Sequence, residues 1–310
     1  GAGALPTAAY LPCVCRGWRD AARGAAEGMW AELDLSYGWA APTDAVVARE
    51  VGRGTWRGLR ALDLAGCAAL TDAALRALAS GPPSRLASLR LEGCGSFSGA
   101  AVVSLCASAP LLEELVLDGA SLRPRSGLEG HVRAVLESSG ASLRRASMAR
   151  LPYLKSATLL AVARGCPRLT SLDLTGSGML AGDTVALPVE ELQRGCPGLR
   201  ELRLGSLGVL AGFRMRPAAP PAAPGPGFPQ LVALDVSAFK QMGAAPSYVD
   251  GAGLGRLLHA STLLEELNVS ECSSLEPGDL AAALPPGGCP LRSLDVSCTP
   301  LAQDEPLAWA

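Results

Sequence analysis

Apolar residues return along this chain in one register. In Leu59 to Cys67, LRALDLAGC, the leucines stand at LxxLxL and a cysteine follows three positions after the last of them. The same frame recurs as Leu86 to Cys94, LASLRLEGC, and as Leu264 to Cys272, LEELNVSEC. Within it, Leu62 and Leu64 alternate with Ala61 and Asp63, a period of two that predicts a short strand with leucines inward and the intervening residues on an open face. Helical periodicity fills the stretches between frames. TDAALRALASG opens on a capping Thr71 and Asp72 and closes at Gly81, and GHVRAVLESSG, TLLAVARGCP and GLGRLLHAS, from Gly130, Thr158 and Gly253, have a similar character.

The first apolar positions of the frames are Trp30, Leu59, Leu86, Leu112, Leu143, Leu169, Leu199, Leu231, Leu264 and Leu291, spaced 26 to 33 residues apart. That spacing sits at and above the upper end of the leucine-rich range of about 20 to 29 residues. One strand and one helix per repeat predict an α/β fold, a leucine-rich-repeat solenoid. The expected shape is a horseshoe with a parallel concave sheet, convex helices and a short helical N-terminal cap. We assign residues 1–29 to that N-terminal segment and 30–310 to the solenoid. Trp18, Trp30, Trp39 and Trp56 crowd the start of the chain and predict a hydrophobic end-cap. Two places break the rhythm. In LRRASMARL, Leu143 to Leu151, Ala146 and Met148 replace leucines, which predicts a less tightly packed strand. At 212–229 the run GFRMRPAAPPAAPGPGFP predicts a flexible insertion, because proline supplies no N–H to a helix or a central strand.

With 49% hydrophobic residues in 310, the chain has material for a substantial core, and a net charge of −2 gives no basic excess for nucleic acid. No run approaches the ~18 to 20 apolar residues of a membrane helix, and no leader pattern opens the chain. We therefore expect no membrane partner and a cytoplasmic or nuclear location. Cys67, Cys94 and Cys272 share one phase of the repeat, while Cys166, Cys196 and Cys289 share another, each in a GCP tripeptide. Cysteines in phase with a repeat read as small buried residues of a reducing compartment rather than as disulfides.

Catalytic constellations are sparse. His131 and His259 lie in different repeats with no Cys or carboxylate at ligand spacing, and Cys13 and Cys15 lack a second ligand pair. Gly176, Gly178 and Ala181 satisfy the dinucleotide fingerprint, with Glu190 as a later acid, but the strand before them is in phase with the other repeat strands and needs a glycine-rich turn anyway. Asn268-Val269-Ser270 is a glycosylation sequon inside a predicted strand. The expectation is a protein that is not an enzyme and holds no cofactor and no metal.

The pattern LRALDLAGCAALTDAALRALASG resembles the cysteine-containing leucine-rich repeat of F-box proteins, over roughly residues 30 to 310. VCRGWRDAA, with Trp30 downstream, is similar to the C-terminal half of an F-box over about residues 11 to 35. The Leu-Pro helix that opens that motif is matched only by Leu5-Pro6, so the F-box is expected to be incomplete. The resemblance implies a substrate-recognition subunit of an SCF-type cullin-RING ubiquitin ligase. Leu11, Val14, Cys15 and Trp18 would contact the Skp-type linker subunit, and the repeats would hold a target protein. The alternative is a leucine-rich-repeat scaffold without ligase coupling.

On the concave face, the candidate target-binding residues are those between and beside the leucines. They are Asp63, Arg90, Glu114, Asp118, Arg144, Arg145, Arg150, Asp173, Arg203, Asp235, Asn268 and Asp295, and Val116 and Ser147 complete the middle column. Their signs alternate in blocks, which would set the register of a partner more than its raw affinity.

Overall fold

The computed structural model describes residues 31–36, 42–81, 85–123, 127–154, 156–179, 188–206, 225–238 and 249–303. The chain divides into two units, one ending at Leu143 and one beginning at Arg144. In the first unit, strands β1 (Glu32–Asp34), β2 (Ala61–Asp63), β3 (Ser88–Arg90) and β4 (Glu114–Val116) pair in parallel, each with the next. Helices α1 (Asp44–Gly52), α2 (Asp72–Ser80), α3 (Gly99–Ala107) and α4 (Leu128–Ser139) follow them in alternation and pack in sequence. In the second unit, β5 (Arg145–Ser147), β7 (Ser171–Asp173), β9 (Glu201–Arg203), β10 (Ala233–Asp235), β11 (Glu266–Asn268) and β12 (Ser293–Asp295) form the parallel sheet. A side pair of β6 (Pro152–Leu154) and β8 (Gly178–Met179), which the sequence does not announce, stands beside it. Helices α5 (Ser156–Gly165), α6 (Val189–Gly195), α7 (Gly251–Leu258) and α8 (Asp279–Ala283) complete that unit. Every predicted frame carries its strand.

A three-residue strand cannot hold its shape alone, and these are fixed by their neighbours. The carbonyl of Arg60 accepts from the N–H groups of both Ala87 and Ser88, and that of Ala87 accepts from Glu113 and Glu114. The carbonyls of Arg144, Thr170, Arg200, Val232 and Glu265 each accept a corresponding pair from the next repeat. This fixed register turns the central leucines the same way, so Leu33, Leu62, Leu89, Leu115, Leu172, Leu202, Leu234 and Leu267 are all buried, and only Leu294 of β12 is half-buried. Ala146 and Met148 are buried as deeply as the leucines they replace, at 3% and 1% exposure. The strand they build, β5, keeps the same parallel register with β7, so the looser packing expected from their composition is not seen.

The chain leaves eight of these strands, β2 to β5, β7, β9, β11 and β12, by a turn whose fourth residue after the central apolar position is left-handed. It is glycine at Gly66, Gly93, Gly119 and Gly176, but Arg150, Ser206, Glu271 and Cys298 take the same conformation, with φ between 55° and 62°. A Cβ makes that conformation costly for L-residues, while achiral glycine adopts it freely, so these four turns hold strain that the glycine turns avoid. One residue later a small polar side chain ties successive repeats together. The thiols of Cys67, Cys94 and Cys272 donate to the carbonyls of Leu35, Leu64 and Val236 at 3.2 to 3.3 Å, and the Ser177 hydroxyl donates to Met148 at 2.6 Å. Of the GCP cysteines, Cys196 does the same, its thiol donating to the Cys166 carbonyl at 3.3 Å. All eight described cysteines are thiols, and the predicted burial holds for both phases except at Cys289, which is half-buried.

Helix starts are coupled in the same manner. In the first unit, the Asp44 carboxylate accepts from the N–H of Thr71, the residue capping α2. Asp72 accepts from both the N–H and the hydroxyl of Ser98, the cap of α3. Burial acts on Asp72 first, but the bonds from Ser98 and the nearby Arg76 outweigh it and hold its carboxyl below the usual range. Where helices come closest, side chains are excluded. A Cβ on Gly195 would lie 1.8 Å from the Ala163 carbonyl oxygen.

Between α6 and α7 the helical layer is bridged differently. Of the proline-rich run, 212–224 lies outside the described residues, while Gly225 to Pro229 is built into the repeat. Phe228 is fully buried, its carbonyl accepts from the Ser261 hydroxyl, and the Gly225 carbonyl meets His259 Nε2 at 3.0 Å. Glu190 and Arg256, each about 15% exposed, pair across this position, and the Gln193 amide donates to the Arg256 carbonyl at 2.8 Å. Of the tryptophan cluster, Trp18, Trp30 and Trp39 lie outside the described residues. Trp56 lines a shallow cleft with Val51, Leu59 and Leu78.

Two stability outcomes follow from the turns and the thiols. Glu271→Gly is expected to raise stability by about 1 kcal/mol in denaturant unfolding, because it removes left-handed strain, whereas Gly66→Ala lowers it by about 1 to 2 kcal/mol. Burial pushes the thiols of Cys106, Cys166, Cys196 and Cys272 up to about 12. Alkylation of the native protein mapped by mass spectrometry should therefore modify exposed Cys298 and leave those four protected until the fold opens.

Candidate functional site

The open face of each sheet consists of the residues that the leucine alternation turns outward. In the column after the central apolar residue, Arg90, Arg203 and Asp295 are exposed, while Asp63, Ser147, Asp173, Asp235 and Asn268 are half-buried. Val116 departs from the expected open position. It is 7% exposed and belongs to the core. Of the flanking candidates, Arg144, Arg145 and Arg150 are exposed, and Glu114 and Asp118 are half-buried. Leu11, Val14, Cys15 and Trp18 lie outside the described residues. So do Cys13 and Ala181.

Most acids in the middle column already have a partner inside their own repeat. Asp63 Oδ1 accepts from the Ala65 N–H at 2.8 Å, Asp173 from Thr175 at 2.8 Å, Asp235 from Ser237 at 2.9 Å and Asp295 from Ser297 at 2.9 Å. Asp34 makes the same bond to Ser36, and Asn268 makes it with an amide oxygen to Ser270 at 3.0 Å. These are Asx turns, in which a side-chain oxygen satisfies the first N–H that leaves the strand. The reading of this column as partner-binding charges missed that employment. Its signal was present in the text as Asp or Asn followed two residues later by Ala, Ser or Thr.

The turns also set the electrostatics. Burial raises the Asp63 carboxyl above the usual range, with Asp34 and Glu92 adding to the shift and the Ala65 N–H and Arg90 opposing it. Asp295 sits at the exposed end of the array, where bonds from the Ser297 hydroxyl and N–H hold it low. Lateral contacts engage the neighbouring column. Ser88 Oγ donates to Glu114 at 2.6 Å, Ser171 Oγ donates to Glu201 at 2.9 Å, and Arg145 lies 3.7 Å from the same Glu201 carboxylate.

The remaining chemical candidates have structural employment. Glu190, the acid of the glycine-rich fingerprint, pairs with Arg256, and Gly178 lies in β8. Asn268, the sequon residue, caps its own strand exit. His131 lies on α4 with its ring against Gly99, and His259 ends α7 beside Gly225; the Nδ1 atoms of both are buried with no hydrogen-bond partner. Among the described residues, no three His, Cys, Asp or Glu side chains converge as metal ligands, and no helix is long and apolar enough to cross a membrane.

No family model and no curated protein matches this sequence. Solved leucine-rich-repeat structures are similar in fold at low identity. A leucine-rich-repeat protein of Leptospira interrogans is 16% identical with a TM-score of 0.44, and the match covers 80% of this chain and 51% of that one. An internalin of Listeria monocytogenes is 14% identical with a TM-score of 0.46, covering 84% of this chain and 70% of that one. The structure of a TLR13–ssRNA13 complex is 15% identical with a TM-score of 0.41, covering 79% and 36%. The chain thus spans about half the length of the Leptospira protein it matches. With its in-phase LxxLxL frames and parallel strand–turn–helix units, it has the leucine-rich-repeat fold.

Replacing Asp63 separates its two properties. Asp63→Ala removes the turn's acceptor and is expected to cost about 1 kcal/mol in unfolding free energy. Asp63→Asn keeps the bond, as Asn268 does naturally. Because the folded-state pKa of Asp63 is raised, the stability that its protonation lends is full below the unfolded carboxylate pKa and is lost as pH rises through the folded value. At neutral pH, Asp63→Asn is therefore expected to match or exceed the parent stability, and the gain should vanish in acid. Unfolding midpoints across that pH range read the difference.

Proposed function

We propose that this chain is a non-catalytic protein-binding module that holds a target on the open faces of its parallel sheets. Within that reading, it is the substrate-recognition subunit of an SCF-type cullin-RING ubiquitin ligase. One observation supports the binding reading most directly. The frames bury their leucines and present the residues between them in fixed register, a rigid array of exchangeable side chains with the backbone already satisfied. Outside the turn-capping Asp and Asn residues and Val116, such a face can be varied residue by residue without disturbing the core.

The ligase assignment rests on the F-box-like residues Leu11, Val14, Cys15 and Trp18, upstream of the repeats. A scaffold that uses the same faces without ligase coupling is the competing reading. Co-purification of the full chain with a Skp-type linker subunit discriminates between them. The expected result is a stoichiometric complex that Val14→Asp with Trp18→Asp abolishes while far-UV circular dichroism stays unchanged. Failure of the parent chain to bind the linker would leave the scaffold.

A further inference from the structure

In the second unit the open face carries its charge in two blocks. Over β5, β7 and β9 and their turns stand Arg144, Arg145, Arg150, Arg200 and Arg203, against the acids Asp173 and Glu201. Both acids are already engaged. Asp173 accepts the Thr175 N–H, and Glu201 is shared between the Ser171 hydroxyl and Arg145. Arg200 and Arg203 extend from β9 as exposed side chains, and Arg144 lies in the same column as Arg200, two strands away. At ~4.8 Å per strand that separation is about 10 Å, within the reach of one extended segment crossing the strands. Beyond β9 the sign reverses through Asp235, which accepts the Ser237 N–H, Glu265, which Arg292 approaches to 3.2 Å, and Glu266 and Glu271.

A second observation is conformational. Arg150 occupies the left-handed turn position that Gly176 fills one repeat later, and its side chain lies over that glycine, with Cγ 3.5 Å from where a Cβ would stand. The turn imposes this conformation on Ser206, Glu271 and Cys298 as well; at Arg150 its effect is to lay an arginine side chain across the neighbouring repeat within the basic block.

We propose that the arginine face over β5, β7 and β9 docks an acidic segment of the partner protein, with the adjoining acidic block fixing the direction in which that segment runs. The inference rests on the protein-binding reading and gives it a specificity. Acidic peptide is favoured over nucleic acid on two grounds. No aromatic residue stands on β5, β7 or β9 to stack a base, and the acids beyond β9 would repel a continuing phosphate backbone.

Fluorescence anisotropy of a labelled Glu-Ser repeat peptide tests it, with an oligouridine of equal length as competitor. The expected result is binding that weakens as salt is added and falls at least about tenfold in Arg200→Gln with Arg203→Gln at unchanged thermal midpoint. The corresponding double Lys variant should retain most of the affinity. Arg150→Gly should bind the peptide more weakly while melting at a higher temperature, a pairing that a merely structural arginine would not give. Absence of peptide binding, equal affinity in the double Gln variant, or tighter binding of oligouridine would overturn the proposal. If a target captured by the parent chain is still held by the double Gln variant, the open face binds by other contacts, and this inference falls while the protein-binding reading stands.

Discussion

Each repeat completes the backbone of the one before it. A strand of three residues followed by one helix buries a single apolar face and leaves N–H and C=O groups open on both edges, so neither its hydrogen bonds nor its leucines are satisfied until a neighbour stacks on it. The paired N–H groups that reach one carbonyl per repeat, from Arg60 through Glu265, are the mark of that dependence. Residues that look incidental serve the same end. The thiols of Cys67, Cys94 and Cys272, the hydroxyls of Ser177 and Ser261 and the carboxylates of Asp44 and Asp72 all reach across to groups of an adjoining repeat.

The parts of this architecture that repeat with a fixed period were legible in the text. The recurring frame located every strand of the main parallel ladders, though not the side pair β6 and β8, and Thr71 marked a helix start where one stands. What escaped the text was whatever depends on backbone conformation without a characteristic residue. Gly66 and Gly93 signal a left-handed turn, yet Arg150, Ser206, Glu271 and Cys298 adopt it because the ladders on either side leave the chain no other path. Phe228 sits among prolines that read as insertion, and it is held by the turn after α7, where Ser261 bonds its carbonyl and His259 meets that of Gly225 from more than thirty residues away. Val116 alternates outward on paper and is buried in fact.

For function, the same economy narrows the field. An aspartate on the open face appears to the sequence as a charge for a partner, but where it caps its own strand exit its geometry is already spent on the turn. Substituting Asp173 or Asp235 would therefore disturb the fold and the face together. Arg90 on the open face of the first unit, and Arg200 and Arg203 on that of the second, have exposed side chains, and a specificity can be written at each without cost to the turns.

The proline-rich run has one further consequence. Both of its flanks are fastened to the array, Ser206 through its N–H to the Ser237 carbonyl and Gly225 through its carbonyl to His259. The register of β9, β10 and β11 is thus set without reference to the number of residues between those two anchors. Joining two fixed points by a longer flexible chain costs in general only about 0.6 kcal/mol for each doubling of its length. This is a place where the gene can gain or lose whole stretches of chain while every strand keeps its partner, so the array is rigid in register and permissive in length.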